Sequence, residues 1–266
     1  MTKPASLFLN ELRRTAVLWW SYRLSAISSI VIYAIIFPLL MVIFQNLASQ
    51  HGATYGPTQQ LSSLIGFLVW NLCMKVMAAI PQMVEDEASV GTLENVIASP
   101  LSPLTTLVMR TCVLCVRYAI ETALLGLALG LLLKLPIVLS PAAVLVILLT
   151  LAGACGVGVA LAGLALVYKS VGSIAGVVAN LALLVSGALV PINALGSAFV
   201  VLKFLFPTTW GIDMLRQVMI GGYPVGWLSA EFSGLILQTV LLIGAGALVF
   251  QACLSKAKMQ GSLSTY

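Results

Sequence analysis

The chain has 266 residues, of which 61% are hydrophobic and 8% are charged, and its mean hydropathy is +1.09. A soluble domain carries about 25% charged residues, so this chain cannot cover a water-facing surface, and its composition predicts an integral membrane protein. The net charge of +5 comes without a clustered run of basic residues, which argues against nucleic-acid binding.

The segment before the first long apolar stretch, residues 1–24, combines apolar residues at helical spacing with interspersed charges. This pattern predicts a cytosolic helix that lies in the membrane interface and contacts lipid headgroups. The predicted anchors of this helix are Arg13, Arg14, Trp19 and Trp20. The alternative is a plain cytosolic tail that leads into the first span. The segment lacks the short apolar core and cleavage site of a signal peptide.

Six apolar stretches are long enough to cross a bilayer, which takes about 20 helical residues. The predicted spans cover residues 25–47, 61–84, 104–133, 141–167, 172–190 and 231–254. The sequence therefore predicts an all-α membrane protein with one six-span transmembrane domain over residues 25–254 and a cytosolic tail over 255–266. Small residues are frequent in the fourth and fifth spans, and they predict faces where helices pack closely.

The distribution of Lys and Arg predicts the orientation of these spans, because basic residues accumulate on the cytosolic side. If the N-terminus is cytosolic, the basic residues on the inner side are Lys3, Arg13, Arg14, Arg23, Arg110, Lys169, Lys256 and Lys258. Those on the outer side are then Lys134, Lys203 and Arg216. Both termini are therefore expected in the cytosol, and so is the connection between the second and third spans.

Three charged residues fall inside predicted spans: Lys75, Arg117 and Glu121. Charges in the hydrocarbon layer usually face the bundle interior and pair with one another. Because Lys75 and Glu121 reach similar depths on antiparallel helices, we expect Glu121 to pair with Lys75, Arg117 or both. The cluster either holds the second and third spans together or relays protons. A relay usually uses a chain of acids, and this chain has one, which favours the structural role.

Half of the eight acidic residues fall in the connection 85–100. Acids at its start favour a helix, the apolar residues after them recur at helical spacing, and Pro100 ends the pattern. A short amphipathic helix on the cytosolic face buries its apolar stripe against lipid or protein. Since an acidic face disfavours anionic headgroups, the pattern predicts a protein partner.

The connection 191–230 is too apolar for a free loop and is interrupted by Pro191, Pro207 and Pro224. Non-helical backbone at membrane depth persists only where protein or a water-filled cavity shelters it. We therefore expect short re-entrant or interfacial helices on the outer face before the last span. A poorly formed seventh span is the alternative.

The sequence offers little for catalysis. Its single His, His51, lies in a predicted outer loop, and Cys112 and Cys115 form a CxxC pair without a second pair or a nearby His. Packing in a membrane helix explains this pair better than redox or metal chemistry, so no catalytic residue, metal site, disulfide or bound cofactor is expected. Gly is never followed by Lys, so the chain lacks a P-loop.

The acidic connection resembles the coupling helix of ABC-2 type permeases, the membrane subunits of many ABC exporters. The family pattern is an acidic pair, then Gly-Thr-Leu-Glu, an apolar stretch and Pro-Leu-Ser. The matching residues here are Glu85, Asp86, Glu87, Gly91, Thr92, Leu93, Glu94 and Pro100. The interfacial helix, the long third span and the segment 211–222 are also similar to the family. Family members often carry an Arg among the acids, and this chain has none there.

The resemblance implies a transport subunit and not an enzyme. It implies two ABC ATPase subunits, which dock on the coupling helix and bind ATP and Mg²⁺, and a second permease subunit, in a bacterial inner membrane. The implied activity is export of an apolar or amphipathic substrate, such as a drug, lipid or peptide-like molecule, by alternating access. The alternatives are a polysaccharide or glycolipid exporter of the same superfamily and, more distantly, a secondary transporter.

Overall fold

The computed structural model describes residues 11–15, 17, 19, 21, 23–50, 56–91, 102–136, 139–168, 171–188, 206–222 and 229–260. Every regular element within these residues is a helix. The helices are α1 (Arg23–Gln50), α2 (Pro57–Val90), α3 (Pro103–Leu133), α4 (Pro141–Tyr168), α5 (Gly172–Val185), α6 (Pro207–Met219) and α7 (Ala230–Gln260). The described positions between residues 11 and 21 are helical as well. The predicted all-α class is confirmed.

Five helices are long and apolar enough to cross a membrane: α1, α2, α3, α4 and α7. They coincide with five of the six predicted spans. α2 has 34 residues, so it is about 51 Å long, whereas the hydrocarbon layer is about 30 Å thick. α2 therefore continues well beyond the stretch that hydropathy predicts as its membrane-spanning part.

The predicted fifth span, residues 172–190, is not one continuous helix over the part that the structure describes. Its helix α5 has 14 residues, about 21 Å in length, which is less than the roughly 30 Å that a span requires. A bend at residues 186–188 follows, in which Gly187 has a φ of +73°. Because glycine adopts this left-handed conformation at little cost, the bend interrupts a stretch that is continuous by hydropathy.

The core forms where α4 packs against α2 and α7. A Cβ on Gly158 would lie 2.6 Å from Ile80 Cδ1 of α2, and a Cβ on Gly163 would lie 2.7 Å from Phe250 Cα of α7. The predicted close packing through small residues is confirmed for these glycines of α4. On α5, by contrast, a Cβ on Gly176 would meet nothing within 4 Å.

The connection 191–230 contains α6, a helix of 13 residues. Its length of about 20 Å is too short for a seventh span and suits one of the short helices predicted there. Its side chains Thr209, Ile212 and Leu215 are buried, and the helix packs on α4, α2 and α7. Residues 191–205 and 223–228 lie outside the described residues.

Candidate functional site

The acidic motif lies at one end of α2. We call the end at Val90 the inner end and the end at Pro57 the outer end, after the predicted topology. Glu85, Asp86 and Glu87 form part of the last turns of α2, and the helix ends at Gly91, whose φ is +74°. The N–H of Gly91 donates to carbonyls of the preceding turn, which closes the helix with a left-handed cap.

This arrangement differs from the predicted separate helix that begins with acids. The sequence between Pro81 and Gly91 contains no helix-breaking residue, so α2 continues through the acids. The acids therefore lie at the negative end of a helix dipole instead of the positive end, and they need compensating partners. Thr92, Leu93, Glu94 and Pro100 lie outside the described residues, and their docking role stays a prediction.

Glu85 caps the N-terminus of α5. Its Oε1 accepts hydrogen bonds from the backbone N–H of Val171 at 2.6 Å and of Gly172 at 3.0 Å. The first N–H groups of a helix have no acceptor within the helix, and the positive end of the dipole favours a carboxylate. The carboxylate at the end of α2 and the unpaired N–H groups of α5 therefore satisfy each other.

Arg110 of α3 bridges two acids from different parts of the chain. Its guanidinium donates to Glu87 of α2, and its Nε lies 3.0 Å from Glu11 Oε1. The three side chains are each at most 24% exposed, so solvent and salt screen these pairs less than open surface pairs. The sequence predicted only that Arg110 lies on the cytosolic side. Its bridging role depends on the packing of α3 beside α2.

Asp86 makes a different contact from its two acidic neighbours. Its carboxylate accepts a hydrogen bond at 2.9 Å from the Gln82 amide one turn earlier, and the residue is exposed. Glu85 and Glu87 are half-buried and face other helices of the same chain. Asp86 is therefore the member of the acidic triplet that is most accessible to a partner protein.

A cavity of about 560 Å³ opens between α2, α3 and the helical residues near Glu11. Its charged lining consists of Glu11, Arg14, Lys75, Asp86, Glu87, Arg110 and Arg117. Because charges of both signs line this space, it suits water or polar groups better than lipid chains. The cavity connects the acidic end of α2 with the charges inside the predicted spans.

Those intramembrane charges form a cluster of three. Glu121 Oε2 lies 3.5 Å from Lys75 Nζ, and Glu121 Oε1 lies 3.1 Å from Arg117 Nε. The Glu121 side chain is 3% exposed, and Lys75 Nζ also lies 5.1 Å from the centre of the Tyr33 ring of α1. The predicted pairing of Glu121 is therefore present with both bases. It brings α1, α2 and α3 together.

The predicted interfacial anchors have different surroundings. Arg13 is exposed, and the Arg14 side chain is 62% exposed and lies 3.5 Å from Glu11. Trp19 is half-buried and lines a cavity of about 200 Å³ beside α3. Trp20 lies outside the described residues. Contact with headgroups stays a prediction for all four anchors.

At the outer end of α2, Arg216 of α6 joins two other segments. Its Nε donates to the carbonyl of Ser62 and its Nη2 to the carbonyl of Ala188, both at 3.2 Å. The Arg216 side chain is 10% exposed. A Cβ on Gly66 would lie 2.1 Å from the Ala188 oxygen, so the backbones of α2 and of the bend after α5 are in contact. In the sequence, Arg216 was only one of the predicted outer charges, although its position one turn after Asp213 was a signal of an ion pair, and the two side chains lie 3.8 Å apart.

Two thiols meet away from these charged groups. Cys115 Sγ of α3 and Cys155 Sγ of α4 are 3.5 Å apart, and both are free thiols. They line a cavity of about 540 Å³ between α3, α4 and α7. Within the described ranges, no group of three His, Cys, Asp or Glu residues is arranged to hold a metal ion.

Comparison with known proteins identifies the family. The family model described as ABC-2 type transporter matches residues 7–220, a range that contains α1 to α6, the acidic end of α2, the charge cluster and Arg216. No curated protein sequence matches the chain. The family match covers most of the chain and confirms the resemblance first seen in the acidic motif: the chain belongs to the ABC-2 type transporter family and is a multi-pass membrane component of an ABC transporter.

Proposed function

We propose that this chain is the permease subunit of an ATP-driven exporter that moves an apolar or amphipathic substrate outward by alternating access. The proposed substrate is a drug, a lipid or a peptide-like molecule. Members of the family normally partner with an ABC ATPase. In the proposed complex, two such ATPases bind ATP and Mg²⁺ and dock on two permease subunits, which are two copies of this chain or two related chains.

The proposed topology has six spans and cytosolic termini in a bacterial inner membrane. In this topology, α5 together with the residues after it forms the fifth span, segment 1–24 lies in the inner interface, and segment 191–230 forms outer re-entrant helices. The five long apolar helices support a multi-pass arrangement. The excess of basic residues on the predicted inner side supports the orientation.

One observation carries the coupling part of the proposal: the acidic motif continues directly from the most buried long helix. In α2, 78% of the most apolar stretch is buried, against at most 44% in the other four long helices. α2 runs without a break through the acids to Gly91, which immediately precedes Thr92, Leu93 and Glu94. A displacement that an ATPase imposes on the motif is therefore transmitted into the core along one continuous helix.

The cavity between α3, α4 and α7 supports an apolar substrate. Its volume of about 540 Å³ lies within the usual range of small-molecule pockets, roughly 300–1,000 Å³. Its described lining is aliphatic, small or thiol-bearing and includes no aromatic side chain. Sugar-binding surfaces commonly use aromatic platforms, so a polysaccharide or glycolipid substrate has less support.

We assign the cluster of Lys75, Arg117 and Glu121 a structural role. Both oxygens of Glu121 lie within ion-pair distance of a base, one on α2 and one on α3, so the carboxylate links these two helices. Glu121→Gln leaves two positive charges without their counter-charge. We expect it to lower the free energy of unfolding by about 3 kcal/mol, measured by thermal unfolding in detergent, while ATP-driven export stays insensitive to a protonophore. Glu231→Gln, the same change at an exposed acid outside the coupling motif, is the control. Loss of a proton-dependent component of export in Glu121→Gln would instead indicate a relay and a secondary transporter.

The whole proposal is tested by purifying the tagged chain in mild detergent from membranes of its own host. We expect a P-loop ATPase to co-purify and to hydrolyse ATP in the complex. Leu93→Ala and Glu94→Ala are expected to weaken recovery of the ATPase or to uncouple hydrolysis from export. Leu131→Ala, the same truncation at a side chain that is 73% exposed, is the matched control. A chain that carries no ATPase and transports without ATP contradicts the proposal.

A further inference from the structure

Contacts between α2 and the α5 segment occur near both ends of α2 and between them. Near the inner end, Glu85 accepts from the N-terminus of α5. Further along, Trp70 Nε1 donates to the carbonyl of Ala179 at 3.0 Å. Near the outer end, the backbone at Gly66 contacts Ala188. Among the described residues, the extensive helix packing of α5 is with α2.

The inner contact is specific in its chemistry. One carboxylate oxygen of Glu85 accepts from two successive N–H groups, and a Cβ on Gly172 would lie 3.3 Å from the other oxygen. The first residue of α5 is therefore small enough to let the carboxylate reach the helix end. A charged acceptor for two N–H donors forms stronger hydrogen bonds than a neutral acceptor.

This contact lies six positions before the docking motif that begins at Gly91, on the same continuous helix. A movement of the motif displaces Glu85 with it, because one uninterrupted α-helix joins them. The N-terminus of α5 follows while the carboxylate holds it.

We propose that Glu85 is a positioning residue that makes the inner ends of α2 and α5 move as one unit, so that displacement of the docking segment reaches α5 directly. The inference rests on the proposed function and deepens it, because it gives Glu85 an internal role where the sequence predicted a contact with the ATPase. Glu87 has a corresponding internal partner in Arg110, which leaves Asp86 as the accessible acid.

Two cysteine reporters test the proposal in the assembled transporter, on a background in which the five native cysteines are replaced by serine. Ser89→Cys reports on the end of α2, and Gly176→Cys reports on α5; both positions are exposed, and a side chain at 176 has open space. The rate of labelling by N-ethylmaleimide is measured in membranes without nucleotide and with the vanadate-trapped nucleotide state. With Glu85 present, we expect trapping to change the rate at both positions.

In Glu85→Ala, we expect the change at position 89 to persist and the change at position 176 to fall about threefold to tenfold, as for a contact that couples two elements. Glu85→Gln, whose amide oxygen still accepts hydrogen bonds, should restore most of the response at 176. Leu131→Ala, which truncates a side chain that is 73% exposed, should leave both responses unchanged. If Glu85→Ala does not assemble, an intermediate response at 176 in Glu85→Gln supports the same conclusion.

An undiminished response at position 176 in Glu85→Ala, or an equal loss at both positions, overturns the inference and leaves the proposed function standing. If neither reporter responds to nucleotide when Glu85 is intact, the proposed function fails and the inference fails with it.

Discussion

The two ends of α2 are held to the α5 segment by opposite chemistry. At the outer end, the Arg216 guanidinium donates to backbone carbonyls, and Gly66 allows direct backbone contact with Ala188. At the inner end, the Glu85 carboxylate accepts from backbone N–H groups at the start of α5, and the neighbouring Glu87 accepts from Arg110 of α3. The outer contacts are buried and depend on shape, whereas the inner contacts are half-buried and depend on charge. We infer that the outer end resists displacement more strongly than the inner end, which carries the acidic motif.

The largest expected effect is at Gly66. Gly66→Ala places a Cβ 2.1 Å from the Ala188 oxygen, and backbone has to move to relieve the overlap. We expect a loss of about 3 kcal/mol in the free energy of unfolding, measured by thermal unfolding in detergent. Gly176→Ala, where a Cβ meets nothing within 4 Å, should change stability by less than about 1 kcal/mol and in the stabilising direction. Equal losses in the two variants would show that the outer contact does not depend on shape.

The second-largest loss of stability is expected at Arg216. Arg216→Ala removes the charged donors of two backbone carbonyls in a buried setting, for which we expect a loss of about 2 kcal/mol. Arg216→Lys should recover part of the loss, since an ammonium donates to one carbonyl but lacks the guanidinium fork. Thermal unfolding of both variants is compared with that of Arg13→Ala, which truncates an exposed arginine. If Arg216→Ala lowers the free energy of unfolding no more than Arg13→Ala does, Arg216 does not stabilise the contact at the outer end of α2.

The smallest effect is expected at Glu87. Glu87→Gln weakens the bridge through Arg110 to Glu11 and should cost about 1 kcal/mol. Because the contact is electrostatic and partly exposed, the difference from the unaltered chain should shrink as NaCl is raised toward about 1 M. Asp86→Asn serves as the control at an exposed acid. A loss that is as large as that of Arg216→Ala and insensitive to salt would erase the contrast between the two ends.

Features that depend on neighbouring residues could be predicted from the sequence. The ion pair of Arg117 and Glu121 joins positions four apart on one helix, which is a regular helical contact. The pair of Lys75 and Glu121 followed from matching their depths in the membrane. The bend at residues 186–188, inside the predicted fifth span, was not predicted, because a hydropathy average does not register it.

Contacts between distant segments were not predictable in the same way. Glu85 and Val171 are 86 positions apart, and the acidic motif by itself indicated a partner protein and not the N-terminus of α5. For Arg110 and Arg216, the sequence predicted only the side of the membrane on which each charge lies. Their partners depend on which helices are neighbours, and the spans are so uniformly apolar that hydrophobic periodicity does not define their neighbours.

The sequence by itself determined that the chain lies in a membrane, where most spans run, which charges enter them and which family the acidic motif indicates. These properties follow from composition, length and helical spacing, which act over a few turns of helix. The tertiary structure alone decided that α2 continues through the acids, that Glu85 caps α5 and that Arg216 closes the outer end. Those contacts arise because buried carboxylates, N–H groups and carbonyls must find partners, and the packing of the helices determines which partners are within reach.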